Sequence, residues 1–301
     1  MAMNREITVY DNRNNDFKHN TDDKLCKKKK RKIKKWKIFV PLFLIITAIY
    51  VIIGFCETDL VVTEYTYHSD KLPADFNGYK IALISDLHNE NFGTNQSQLI
   101  NELKKAKPDM IALTGDIIDA EKENLVPVEN LIVGATSIAP TYFVSGNHEL
   151  DTKAKYNYKQ LCEMFDKYGV VNLNNSSVSV KRGNSSIKLS GQSFCGNKIA
   201  KNLAYADQSS FNILLYHGCN MFDMICDHGY DIILSGHSHG GVIRLPFVGG
   251  LINNNGGLFP EYDGGAYSKN NCTMFASRGL GDASFPRFYN PPELVIITLK
   301  N

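Results

Sequence analysis

No two of the seven cysteines stand in a C-x-x-C pair. Cys26 and Cys56 precede the body of the chain, and Cys162, Cys195, Cys219, Cys226 and Cys272 are scattered through it. That spacing excludes a disulfide framework, and the thiols read as small buried hydrophobes. No segment repeats at solenoid spacing, which excludes a repeat array. No twin-arginine pair precedes the long apolar run near the N-terminus. No small-x-small cleavage pattern comes after that run, which ends Gly54-Phe55-Cys56-Glu57. Phe55 beside Cys56 also does not suit a lipoprotein signal. An uncleaved signal anchor is the expectation.

What is present first is a charge asymmetry. The formal net charge of the 301 residues is only +2, yet residues 1–37 carry 13 Lys/Arg against 5 Asp/Glu. The remainder carries 20 against 26. From Ile38 to Cys56 runs IFVPLFLIITAIYVIIGFC, without a charge. Nineteen residues at helical rise cover about 28 Å, close to the hydrocarbon thickness of a bilayer. Ten Lys/Arg lie between Lys24 and Lys37, whereas Glu57 and Asp59 lie just beyond the run. The positive-inside rule then keeps the N-terminus in the cytosol and exports the chain beyond Cys56. A Lys-rich run before a membrane span serves topology and contact with anionic lipid, so no nucleic-acid partner is expected. The division read from this is 1–37 basic cytoplasmic tail, 38–56 transmembrane anchor and 57–301 exported domain. Residues 1–23, rich in Asn and Asp, are expected to be disordered.

Beyond the anchor the pattern alternates. Leu60–His68 and Tyr79–Ile84 read as strands, Asn95–Ala106 as a helix, Met110–Leu113 as a strand and Glu123–Ala135 as a helix. Tyr142–Val144 and Tyr156–Tyr168 come next as strand and helix, and this βαβα order implies a parallel sheet with helical cover. After Val170 the runs shorten: Val178–Val180, Ile187–Leu189, Ile213–Leu215, Val242–Leu245, Cys272–Ala276 and Leu294–Leu299. They predict a second, more mixed sheet with one short helix near Met221–Cys226. Phe247–Lys269, dense in Gly and Asn, reads as a long surface loop.

Five polar clusters terminate apolar runs. They are Ser85-Asp86-Leu87-His88, Gly115-Asp116-Ile117-Ile118-Asp119, Gly146-Asn147-His148-Glu149, His217, and Gly236-His237-Ser238-His239. In an open α/β sheet ligands gather at such strand ends. Carboxylate, imidazole and amide donors without thiolate suit Mn, Fe, Zn or Mg rather than a structural zinc. Seven donors (Asp86, His88, Asp116, Asn147, His217, His237 and His239) exceed one tetrahedral site. They match two ions sharing a carboxylate, a clamp suited to displacement at phosphorus.

The order D-x-H, G-D-x-x-D, G-N-H-E, H, G-H-x-H resembles the calcineurin-like metallophosphoesterase superfamily. Gly240-Gly241-Val242-Ile243-Arg244-Leu245-Pro246, Ser277-Arg278-Gly279-Leu280-Gly281 and Pro286-Arg287-Phe288 are similar to a narrower branch, the membrane-anchored or exported bacterial phosphodiesterases of the YkuE and YaeI type. The resemblance covers about residues 58–300. It implies a four-layer α/β/β/α sandwich of two mixed sheets behind one transmembrane helix. It also implies one metal on Asp86, His88 and His239, a second on Asn147, His217 and His237, and Asp116 bridging. His148 is implied as a non-ligand that faces the substrate and protonates the leaving oxygen. Asp119 and Glu149 are implied to orient ligands by hydrogen bonds. The implied nucleophile is a metal-bridging hydroxide.

Hydrolysis of a phosphate diester or pyrophosphate at the outer membrane face is therefore expected, by a monomer acting on a lipid head group, wall polymer or nucleotide. The alternatives are a phosphomonoesterase and a metal-binding scaffold without activity. His19, His68 and His228 match no cluster and read as surface or core histidines. Asp109 reads as a turn residue, and Arg278 and Arg287 as phosphate contacts or structural ion pairs.

Overall fold

The computed structural model describes residues 34–56, 59–252, 257–281 and 286–301. Two compact units divide the chain, Met1–Ile46 and Thr47–Asn301. Most of the basic tail, the 1–23 stretch, Cys26, His19 and Glu57 lie outside the described residues.

Helix α1, Trp36–Cys56, is 21 residues long and carries Pro41 inside it, past the first turn, where its missing N–H removes one bond to Lys37 O. Among the described residues no helix is long and apolar enough to cross a membrane. The backbone helix itself continues over the full 21 residues.

The catalytic unit holds two six-stranded mixed sheets. Strands β1 (Val61–His68), β2 (Lys80–Ile84), β3 (Met110–Leu113), β4 (Thr141–Phe143) and β5 (Val171–Asn172) enter the first, with helices α2 (Ser97–Ala106), α3 (Val126–Thr136) and α4 (Lys155–Tyr168) between them. Strands β6 (Ser176–Arg182), β7 (Ser185–Gly191), β8 (Asn212–Gly218) and β9 (Ile232–Gly236) enter the second, accompanied by short helices α5 (Ile199–Asn202) and α6 (Phe222–Ile225). A small hairpin comes next, β10 (Ile243–Leu245) and β11 (Gly249–Ile252), then β12 (Gly265–Lys269), β13 (Cys272–Ala276) and β14 (Glu293–Lys300). The sheet orders are β1-β14-β2-β3-β4-β5 and β12-β13-β9-β8-β7-β6.

Period-two alternation sorts the strand side chains into layers. Ile81 and Leu83 face the second sheet and pack in one cluster with Leu189, Ile213, Leu234 and Phe275. Ala82 and Ile84 point the other way, into a cluster shared with Leu103 of α2, Leu131 of α3 and Leu161 of α4. On the outer face of the second sheet Leu214, Ile233 and Met274 pack with Phe222 and Ile225 of α6. Helix, sheet, sheet, helix is thus the layer order. Each fully buried Ile or Leu contributes about 1.5–3 kcal/mol.

Some sequence expectations are corrected. β14 does not join the second sheet; it inserts between β1 and β2, parallel to the first and antiparallel to the second. Its apolar run carried no information about which sheet it would complete. The expected loop Phe247–Lys269 contains β11 and β12, with residues 253–256 outside the described ones. One helix was expected in the second half, and among the described residues two short ones, α5 and α6, are present. Asn95 and Gln96 have positive φ and lie outside α2. Gln96 instead ties the loop, accepting from Phe92 N and donating to Glu90 O and Pro127 O. α3 starts at Val126 rather than Glu123, with Pro127 in its first turn.

Candidate active site

The first-sheet strands β2, β3 and β4 and the second-sheet strands β8 and β9 end at one place, and the five polar clusters meet there. Asp86, His88, Asp116, His217 and His239 are buried. Five of the seven expected ligands have left-handed backbone: Asp86 (φ 53°), His88 (49°), Asp116 (51°), His237 (75°) and His239 (47°). Each costs on the order of 1–3 kcal/mol outside glycine, and such residues collect where surrounding structure overrides local preference. The glycines before them allow close approach. A Cβ on Gly146 would collide with Asp116 Oδ1, and one on Gly236 would collide with Asp86 Oδ2.

Two half-sites are resolved. In one, His88 Nε2 lies 3.2 Å from His239 Nε2, which lies 3.3 Å from Asp86 Oδ1. In the other, His217 Nε2 lies 3.1 Å from Asp116 Oδ2, 3.1 Å from His237 Nδ1 and 3.2 Å from Asn147 Oδ1. Asp116 Oδ2 is also 3.9 Å from His88 Nε2, so this oxygen lies between the halves. His217 Nδ1 donates to Thr114 O at 2.8 Å, which fixes the tautomer and aims the Nε2 lone pair at three other lone-pair atoms. Only a proton or a metal ion reconciles such a set. Donors about 2.0–2.2 Å from one ion stand about 3–3.4 Å apart, the spacing present in both halves. The buried Nδ1 of His239 has no hydrogen-bond partner. The residues fit two divalent ions.

The electrostatics agree. Burial disfavours the charged ring of His217, but the Asp116 carboxylate outweighs it and pushes the pKa up to about 10. Burial would raise Asp116, and the His217 charge instead holds it far below the usual carboxylate range. His88 is likewise raised against its burial, by Asp119 first. Burial lowers His237 to about 4, helped by the neighbouring His217 charge, and lowers His239 well below 6.5. The His217 ring thus holds a proton beside Asp116 near neutral pH.

Residues 79–241 match the profile of the family described as "Calcineurin-like phosphoesterase". The chain belongs to that family. It is a phosphoric ester hydrolase, and the family uses a pair of divalent metals. It is 29% identical over 253 residues to the uncharacterized metallophosphoesterase YkuE of Bacillus subtilis, covering 79% of this chain and 85% of YkuE. With the uncharacterized metallophosphoesterase YkoQ of the same organism it shares 29% over 182 residues, 59% of this chain and 66% of YkoQ. With phosphodiesterase YaeI of Escherichia coli it shares 24% over 228 residues, 73% of this chain and 82% of YaeI.

The phosphoesterase site is framed by residues with other tasks. Asp119 Oδ2 lies 3.3 Å from His88 Nδ1 and its Oδ1 lies 4.0 Å from His148 Nδ1. His148 Nδ1 accepts from Ala120 N–H at 3.1 Å, so in the neutral ring Nε2 carries the proton. Glu149 acts through the backbone. Its two oxygens accept the backbone N–H groups of Asp116 (2.8 Å), Gly146 (2.8 Å), Ile117 (2.7 Å) and Ile118 (3.1 Å), binding the second and third clusters together. Burial, then the Asp116 charge, raises it to about 7.

Of the remaining candidates, Arg278 pairs with Glu293 at 2.9 Å. Arg287 is buried and donates to the carbonyls of Arg278 and Gly281, a backbone clamp. Asp109 accepts Lys80 N–H at 2.7 Å, as a turn residue does. His68 is exposed, and buried His228 stacks on Tyr205. Sequence reasoning missed Asn89 and Asn290. Asn89 accepts from Asp119 N and donates to Lys122 O and Asn124 O, while Asn290 donates to His239 O at 2.6 Å. The signal for Asn89 was its place directly after His88; Asn290 offered none, being 51 residues from its partner.

Proposed function

We propose that the chain hydrolyses phosphate diester or pyrophosphate bonds with two divalent ions, at the outer face of a membrane. Asp86, His88 and His239 would hold one ion, Asn147, His217 and His237 the other, and Asp116 would be shared. The observation that carries this reading is the position of Asp116 Oδ2, 3.1 Å from His217 Nε2 and 3.9 Å from His88 Nε2. When bound, the ions supply Lewis-acid neutralisation of the phosphate and a means of ionising water near neutral pH. The protein's own part is orientation and proton transfer. Glu149 holds the Asp116 turn, Thr114 O fixes the His217 tautomer, and His148 presents an Nε2 proton to the leaving oxygen.

The location is supported by the apolar helix α1 behind a Lys-rich segment and by acidic residues after it. On this reading 1–37 is a cytoplasmic tail, 38–56 an uncleaved anchor, and 57–301 the exported catalytic domain. Purified full-length chain loaded with Mn is to be screened against nitrophenyl mono- and diesters, nucleotides and lipid phosphodiesters. Turnover of diesters or pyrophosphates above monoesters supports the proposal. A chain holding two metals with no turnover of any ester would establish the scaffold alternative instead. A C-terminal reporter active only outside the cytosol tests the orientation, and a silent reporter refutes it.

A further inference from the structure

Beside the metal centre the described surface carries an apolar group that the reaction does not use. The segment Pro246–Pro260 has 15 residues and no charge. Phe247 is fully exposed, and Val248, Leu258 and Phe259 are exposed by 58%, 69% and 65%. Phe247 sits in the tight turn of the β10–β11 hairpin, where Val248 N donates to Leu245 O at 3.1 Å, with φ of 67°. Glycine, asparagine or aspartate normally takes such a position. Phe259 also has positive φ, 52°. Bulky apolar side chains at strained and exposed backbone gain nothing from folding in water.

The surroundings of this group indicate what covers it. Leu258 bridges to Ile252 of β11, and Phe259 N donates to Leu251 O at 2.9 Å. At the other edge Phe288 bridges to Ile243 of β10. The ring of Phe288 in turn packs on the end of α1, with its centroid 4.9 Å from Phe55 and 6.2 Å from Tyr50. Tyr289 donates from its N to Gly54 O and from its hydroxyl to Tyr50 O, both at 2.9 Å. The exposed apolar group is therefore continuous, through one small sheet, with the apolar helix end. Tyr50 and Tyr289 at that junction match the aromatic belt of a membrane boundary. The same sheet adjoins the metal loop: β10 begins four residues after His239, and a Cβ on Gly241 would stand 2.8 Å from Gly250 Cα.

We propose that Phe247, Val248, Leu258 and Phe259 form an apolar lip that enters the lipid bilayer beside the metal centre, so that the enzyme acts on a phosphate ester held in that bilayer. This rests on the phosphoesterase and anchor reading above and narrows its substrate to the lipid-borne class. The test uses full-length chain carrying Trp36→Phe and Phe247→Trp in phosphatidylethanolamine–phosphatidylglycerol vesicles with brominated acyl chains. Flotation with the vesicles and quenching of the introduced indole relative to unbrominated vesicles are expected. A chain that floats without quenching overturns the lip and leaves the anchor standing, and a chain that does not float overturns both. Lack of quenching with a doubled mass by cross-linking would mean that a second copy covers the patch, which also overturns the proposal. The double variant Phe247→Ser, Phe259→Ser should hydrolyse a soluble nitrophenyl diester at the wild-type rate and a vesicle-borne phosphodiester at least tenfold more slowly. Equal rates on the vesicle-borne ester would refute the lip.

Discussion

The backbone N–H of His148 donates to Oδ1 of Asp116 at 2.8 Å, leaving Oδ2 of the same carboxylate between the two half-sites. The third cluster thereby sets the direction of the second. The same bond ties the His148 backbone to the Asp116 carboxylate, so movement at one is felt at the other.

Asp116→Asn keeps the shape but removes the charge shared by two cations and held against His217. Metal content measured by atomic emission should fall below two ions per chain, and ester turnover should fall at least 10³-fold. Retention of both ions with normal turnover would remove Asp116 from the shared position.

His148→Ala should leave metal content intact and slow turnover by roughly 10²–10⁴-fold, the scale of a positioned proton donor. The loss should shrink for nitrophenolate leaving groups, which need little protonation. Uniform slowing across leaving groups of different pKa would assign His148 to phosphate binding, and loss of metal would make it a ligand.

Glu149→Gln leaves an amide NH₂ facing some of the four backbone N–H groups that the carboxylate now satisfies. Each unsatisfied buried donor costs about 1–3 kcal/mol. The midpoint of urea unfolding, measured without metal, should therefore drop, and metal affinity should drop with it. An unchanged midpoint would show that Glu149 does not hold the turn.

Metal binding should release a proton, because His217 is held in the protonated form without it. The raised value sets the sign. With His217 up at about 10, each ion entering its half-site displaces a proton at any pH below that value. Apparent affinity should thus rise with pH from about 6 to 10. Calorimetry in buffers of different ionisation enthalpy counts the protons, and a pH-independent affinity would contradict the protonated state of His217.

The strand-end clusters were readable because they obey short-range rules: an apolar run, a glycine that admits a neighbour, then a polar donor. Asp116, Asn147 and His237 come after their strands in this way, Asp86 has Ser85 in place of the glycine, and all four reach the same site. The resemblance implied that both Asp119 and Glu149 orient ligands by hydrogen bonds, but not that Glu149 does so through four backbone N–H groups. Every residue carries such groups, and no side-chain pattern reveals them.

Alternation and the order of apolar runs determined two sheets with helical cover, and the donor types determined a metal site without thiolate. The placement of β14 between β1 and β2, the left-handed backbone at five ligand positions and the reach of Asn290 to His239 were decided by tertiary structure alone. The reason is physical. Which sheet edge takes a uniformly apolar strand depends on which edge is left open. A residue with local preference against positive φ adopts it only when surrounding packing and hydrogen bonds outweigh that preference. The half-site distances belong to the same class, since they are set where strands of two different sheets converge.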